Sequence, residues 1–124
     1  MVKRQTRQRE AVHRTLRRAG QPLSAAELLD EARRAVTGIG VATVYRHIRT
    51  MVDGGHVVVV RIPGEPVRYE WAGKGHHHYF VCDVCDRVFE VPGCASDFGR
   101  MTPHGFRLER HEVILYGCCA KCAG

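Results

Sequence analysis

An α+β chain in two parts is predicted by three observations. Residues 1–72 carry three helical patterns followed by a hairpin pattern. A glycine-rich break falls at residues 73–75. Residues 76–124 form a short stretch dense in cysteine and histidine. The first part has the order of a winged helix-turn-helix domain, and the second reads as a small α/β domain held by metal. At 124 residues the chain suits one ordinary domain or two small ones. Two small domains each bury too little apolar surface to be comfortable alone, so a metal, a disulfide or a partner chain is expected to help.

The elements follow in order. A first helix is predicted over residues 7–19, with Val12, Leu16 and Ala19 on one face, and Gly20-Gln21-Pro22 stops it. Ser24-Ala25-Ala26-Glu27 is a capping box that opens a second helix burying Leu28, Leu29 and Ala32. A loop at 37–40 precedes a third helix with Val44, Ile48, Met51 and Val52 at helical spacing, ended by Gly54-Gly55. The opposite face of that helix shows Tyr45, Arg46 and Arg49, with Thr43 near its start. Strands at 56–62 and 67–71 flank the turn Pro63-Gly64-Glu65-Pro66. In a winged helix the third helix enters the major groove and the hairpin lies against the backbone. Beyond the break, strands are expected at 79–81, 87–91 and 106–116, and a short helix at 96–101.

The net charge is +6 and most of the excess lies early. Lys3, Arg4, Arg7, Arg9, Arg14, Arg17 and Arg18 face a single nearby acid, Glu10. Such a cluster suits a polyanion such as double-stranded DNA. No apolar run is long enough to span a membrane and no signal-peptide pattern opens the chain. A cytoplasmic protein with no membrane partner is the expectation, and there six cysteines are metal ligands or redox thiols sooner than disulfides.

All six cysteines and five of the eight histidines lie beyond Gly75. Cys82-Asp83-Val84-Cys85 and Cys119-Ala120-Lys121-Cys122 form two C-x-x-C pairs, enough for a complete tetrahedral sulfur shell around zinc. Four thiolates leave no open position, so this ion is expected to staple the domain, not to catalyse. Cys94 and Cys118 are left over, each readable as a small hydrophobe, a redox thiol or an extra ligand. His76-His77-His78-Tyr79 precedes the first pair. In an extended segment His76 and His78 share one face, with His77 and Tyr79 on the other, so the strand can serve two metal sites.

Four stretches together resemble the ferric uptake regulator family of metal-dependent repressors: Thr6-Arg7-Gln8-Arg9, Ala42-Thr43-Val44-Tyr45-Arg46, the run from His76 to Cys85, and Tyr116-Gly117-Cys118-Cys119-Ala120-Lys121-Cys122. The resemblance covers nearly the whole chain. It implies a homodimer that presents two recognition helices to a palindromic operator, with residues 1–72 binding DNA and 76–124 dimerising. It also implies that Tyr45 touches bases, with Thr43 and Arg49 nearby, that Arg46 grips phosphate, and that Arg4 reaches the minor groove. Cys82, Cys85, Cys119 and Cys122 match the structural zinc site. His76, His78, Asp97 and His111 match a second site for a regulatory divalent ion: Zn2+, Fe2+, Mn2+ or Ni2+. A third family site, at the hinge, is eroded: Glu70, His77 and Glu90 match, but Pro22 and Tyr79 stand where histidines are expected. Sensing is therefore expected to rest on the second site, with Cys94, His56 or His104 open as recruits.

The expected function is regulation of metal-uptake or oxidative-stress genes, without enzyme activity. A peroxide-sensing repressor of the same family is the alternative. Two readings from other classes, a zinc hydrolase or nuclease and a metal-storage module, leave the basic first half unexplained, and no H-E-x-x-H motif supports the former.

Overall fold

A computed structural model describes residues 2–93 and 97–124, so Cys94 lies outside the described residues. The chain divides into two compact units, Met1–Lys74 and Gly75–Gly124.

In the first unit α1 (Val2–Ala19) starts five residues earlier than the apolar periodicity indicates. Lys3, Arg4 and Gln5 have good helix propensity, and no apolar periodicity in the sequence marks this stretch. After α1 come β1 (Leu23–Ser24), α2 (Ala25–Ala35), α3 (Val41–Asp53), β2 (Val57–Val60) and β3 (Arg68–Trp71). The three helices bury Val12, Leu16, Leu28, Ala32, Val44, Ile48 and Met51 in one core, closed by Ile39 and by Val57 of the sheet. The strands form an antiparallel sheet of order β1-β3-β2. The two-residue β1 is not legible as a strand, because Ser24 also caps α2.

That cap is built as the sequence spacing predicts. The Glu27 amide donates to Ser24 Oγ at 3.2 Å, and the Ser24 amide donates to Glu27 Oε1 at 2.9 Å. The same carboxylate accepts from the guanidinium of Arg68, which is only 3% exposed and also lies 3.6 Å from Glu65. One acid therefore opens α2 and neutralises a buried charge on β3.

The second unit holds β4 (His77–Cys82), β5 (Val88–Pro92), the short 3-10 turn η1 (Phe98–Met101), β6 (Ile114–Gly117) and α4 (Ala120–Ala123). Its sheet has order β5-β4-β6, with β5 antiparallel and β6 parallel to β4. The strand expected over 106–116 is confined to the four residues of β6, where pairing with β4 supplies the ladder. The helix expected over 96–101 is shorter and of the 3-10 type, opened by the Asp97 carboxylate accepting from the Gly99 amide at 3.1 Å. Gly73 and Gly75, with φ of 86° and 76°, adopt the left-handed backbone between the units. Among the described residues no helix is long and apolar enough to cross a membrane.

Candidate metal centres and nucleic-acid surface

The two C-x-x-C pairs converge. Cys82 ends β4, Cys85 closes the turn after it, Cys119 caps α4 and Cys122 lies one turn on. Their sulfurs all lie within 4.8 Å of one another. Cys85 Sγ and Cys119 Sγ are 3.9 Å apart; a tetrahedral zinc with bonds of about 2.3 Å separates its sulfurs by about 3.8 Å. Amides of Cys85 and Cys119 donate to Cys82 Sγ at 3.5 and 3.3 Å. Those donors pull the Cys82 thiol down to about 6, so a thiolate stands ready at neutral pH. Asp86, at φ 62°, turns the knuckle back so that its amide donates to the Cys82 carbonyl at 2.9 Å. Donor set, spacing and charge fit a structural zinc ion. Cys118 is exposed beside the cluster, its thiol pushed up chiefly by desolvation.

On β4 and the segment before it, alternation separates the histidine run as expected. His76 Nε2 lies 3.1 Å from both His78 Nε2 and His111 Nε2. The trio is a convergent all-imidazole set. His78 is buried, and its Nδ1 accepts from the Val113 amide at 3.2 Å. The proton of the neutral ring then sits on Nε2, pointing into the trio, and an ion bound there must displace it. Desolvation, then His76 and His111, holds the His78 pKa below the usual imidazole range and keeps the ring neutral. Phe98 of η1 packs on His111 with ring centroids 4.4 Å apart. Sequence reasoning did not find the Val113 amide or Phe98, since neither carries a ligand signature. Asp97, one residue before Phe98, is not within the trio's reach: its carboxylate caps η1 and lies 3.8 Å from Arg100. His104 is outside the trio as well.

The other face of β4 behaves differently. His77 Nδ1 lies 2.9 Å from the Gly75 carbonyl, and His77 Nε2 lies 2.9 Å from the Tyr79 hydroxyl and 3.5 Å from Glu90. Both ring nitrogens are engaged. Glu70 belongs to the first unit, buried on β3 and 4.0 Å from Lys74. Pro22 is fully buried there and offers no ligand atom.

In the first unit, Val44, Ile48 and Met51 bury one face of α3. Tyr45, Arg46 and Arg49 are exposed and Thr43 is half-buried. Tyr45 is 46% exposed, so it is not a core aromatic. Arg4 on α1 is also exposed. His56 stacks on Trp71 with ring centroids 6.0 Å apart.

Comparison with known proteins agrees. Residues 2–116 match the ferric uptake regulator family. The chain is 36% identical over 125 residues to the zinc uptake regulation protein of Mycobacterium tuberculosis, covering 96% of this chain and 94% of that one. It is 30% identical over 122 residues to the ferric uptake regulation protein of Campylobacter jejuni, covering 94% and 78%. Among solved structures, a zinc-bound manganese uptake regulator superposes with a TM-score of 0.78 at 25% identity, covering 90% of this chain and 87% of that one. The two thiolate pairs, the imidazole trio and the matched residues 2–116 have one reading: the chain belongs to the ferric uptake regulator family, whose members are transcription regulators and not enzymes.

Proposed function

We propose that this chain is a zinc-responsive transcriptional repressor of metal-uptake genes, binding a palindromic operator as a homodimer. The observation that carries the reading is the pairing of a closed four-thiolate cluster with a separate, all-imidazole trio, in a chain whose third helix leaves Tyr45, Arg46 and Arg49 to solvent. One cluster is saturated and suits a permanent staple; the other is open to exchange and suits a sensor. Zinc as the sensed ion is supported by the nitrogen donors and by the relative from M. tuberculosis, a zinc uptake regulator.

Residues 1–72 are the DNA-binding part in this reading. Arg4 and the other α1 cations supply the salt-dependent, sequence-blind attraction. Tyr45 and Thr43 contact bases, while Arg46 and Arg49 position the helix on phosphate. Residues 76–124 dimerise. Leu115 and Tyr116 on β6 are 45% and 56% exposed, and Phe106 and Leu108 lie exposed before it. A second copy is the natural cover for so much apolar surface on so small a unit.

A regulatory ion supplies multidentate ligation that cross-links separate segments. His76 adjoins the hinge glycine Gly75, His78 lies on β4, and His111 precedes β6. Asp97 supplies the fourth ligand by releasing its cap on η1. Tying His76 down restricts the hinge, and a state that gathers these ligands best is the one the ion favours. The hinge set Glu70, His77 and Glu90 is secondary, because Tyr79 holds the His77 ring.

The test is fluorescence anisotropy on the duplex upstream of the gene for this chain, with free Zn2+, Fe2+, Mn2+ and Ni2+ buffered separately. Specific binding is expected at the lowest free concentration for Zn2+. Tyr45→Ala should cost about 1–3 kcal/mol on the operator and much less on random DNA. His111→Ala should remove the metal dependence while the zinc held by the thiolates stays. An unchanged metal response in His111→Ala, or equal affinity for operator and random duplex, would overturn the proposal. Oxygen added to a histidine-containing peptide after peroxide treatment would instead favour a peroxide sensor.

A further inference from the structure

The first unit contains a cleft of about 560 Å3 between α1 and the second half of α3. Arg9, His13 and Arg17 follow one another at i, i+4 along the α1 wall, with Arg14 and Glu10 beside them. The α3 wall supplies His47 and Thr50, and His56 closes the end. Arg14 and Arg17, at i, i+3, repel one another and weaken the helix unless something neutralises them. Among the described residues Glu10 is the only carboxylate lining the cleft. Among the described residues Arg9, Arg14 and Arg17 make no ion pair. His47 Nε2 is buried and lacks a hydrogen-bond partner among the described residues.

We infer that this cleft binds a free phosphorylated small molecule. Guanidinium forks and imidazole N–H groups match the oxygens of a phosphate, and the volume exceeds what one phosphate fills, so a ligand with two phosphates or a phosphate and an organic body fits. The phosphate of bound DNA is the other possible source. The same oxygens could come from either source, and the titration below separates the two. None of the lining residues belongs to the thiolate cluster or the imidazole trio.

The site carries its own reporter. Trp71, the single tryptophan of the chain, packs edge-on against His13 at 4.7 Å and stacks with His56 at 6.0 Å. Both rings line the cleft. In the free protein, desolvation and Arg17, His56 and Arg9 hold His13 low, against the opposing pull of Glu10; desolvation, Arg46 and Arg9 hold His47 low. A bound dianion reverses that balance, so binding takes up protons and tightens as pH falls.

Zinc-loaded full-length chain should be titrated with fructose 1,6-bisphosphate at constant ionic strength, following Trp71 emission and calorimetric heat. A saturable response is expected, tightening about threefold or more from about pH 8 to about pH 6. Arg17→Gln and His47→Gln should each weaken it about fivefold or more, while Arg110→Gln in the other unit leaves it unchanged. A response that merely follows ionic strength, or is indifferent to Arg17→Gln, overturns the inference. So does a random-sequence duplex that loses as much affinity on Arg17→Gln as the sugar bisphosphate does, for the phosphate would then be the backbone of DNA.

Discussion

His47 shows how much one nitrogen settles. Its ring sits among Arg46 and Arg9 and is partly desolvated, so its pKa in the fold lies below the value of about 6.5 it has in an unfolded chain. The unfolded state therefore binds more protons, and folding stability from this group is complete above about pH 7 and is lost as pH falls through 6.5 toward the folded value. Two-state unfolding of the first unit, followed by Trp71 emission, should show a melting temperature that drops on the acid side. His47→Gln should flatten that drop relative to the parent. An acid limb of equal steepness in both proteins would show that the buried nitrogen contributes nothing.

At the scale of elements, Glu27 joins two devices that the sequence shows separately. The capping box was legible from Ser24 and Glu27 at their spacing. The ion pair to Arg68 was not, because the two lie 41 residues apart and meet only when β3 pairs with β1. Ser24→Ala should therefore cost about 1 kcal/mol, the ordinary value of a helix cap. Glu27→Ala should cost more, about 2–3 kcal/mol, because it also strips a partner from the buried Arg68 guanidinium. Equal losses in urea denaturation of the two variants would mean that Arg68 draws nothing from Glu27. The same logic divides what was readable elsewhere. Periodicity found α2 and α3, and residue chemistry found both thiolate pairs and the partition of His76 and His78 from His77. The early start of α1, the two-residue β1 and the shortening of the last strand to β6 escaped, since each is set by pairing or propensity with no buried pattern of its own. Asp97 was assigned by resemblance alone, and in the fold its carboxylate accepts from the Gly99 amide.

The whole molecule is unequal in its two units. Among the described residues the buried apolar side chains of the second unit are few: Val81, Val88 and the thiols Cys82 and Cys119. A unit of about fifty residues with so small a core is below what hydrophobic burial alone stabilises. The thiolate cluster joins the end of β4 to the start of α4 and so stands in for the missing core. Chelation should then act on one unit only. Removing zinc should abolish the cooperative transition of the second unit in calorimetry and dissociate the proposed dimer, while Trp71 in the first unit keeps its folded emission and its own melt. Leu115→Asp separates the two effects. It should yield a monomer by sedimentation with zinc still bound to the four thiolates, because Leu115 faces solvent and not the cluster. If the chelated protein keeps two transitions, the sulfur shell is dispensable for folding. If Leu115→Asp remains dimeric when metal-loaded, the apolar surface along β6 is not where the second copy docks.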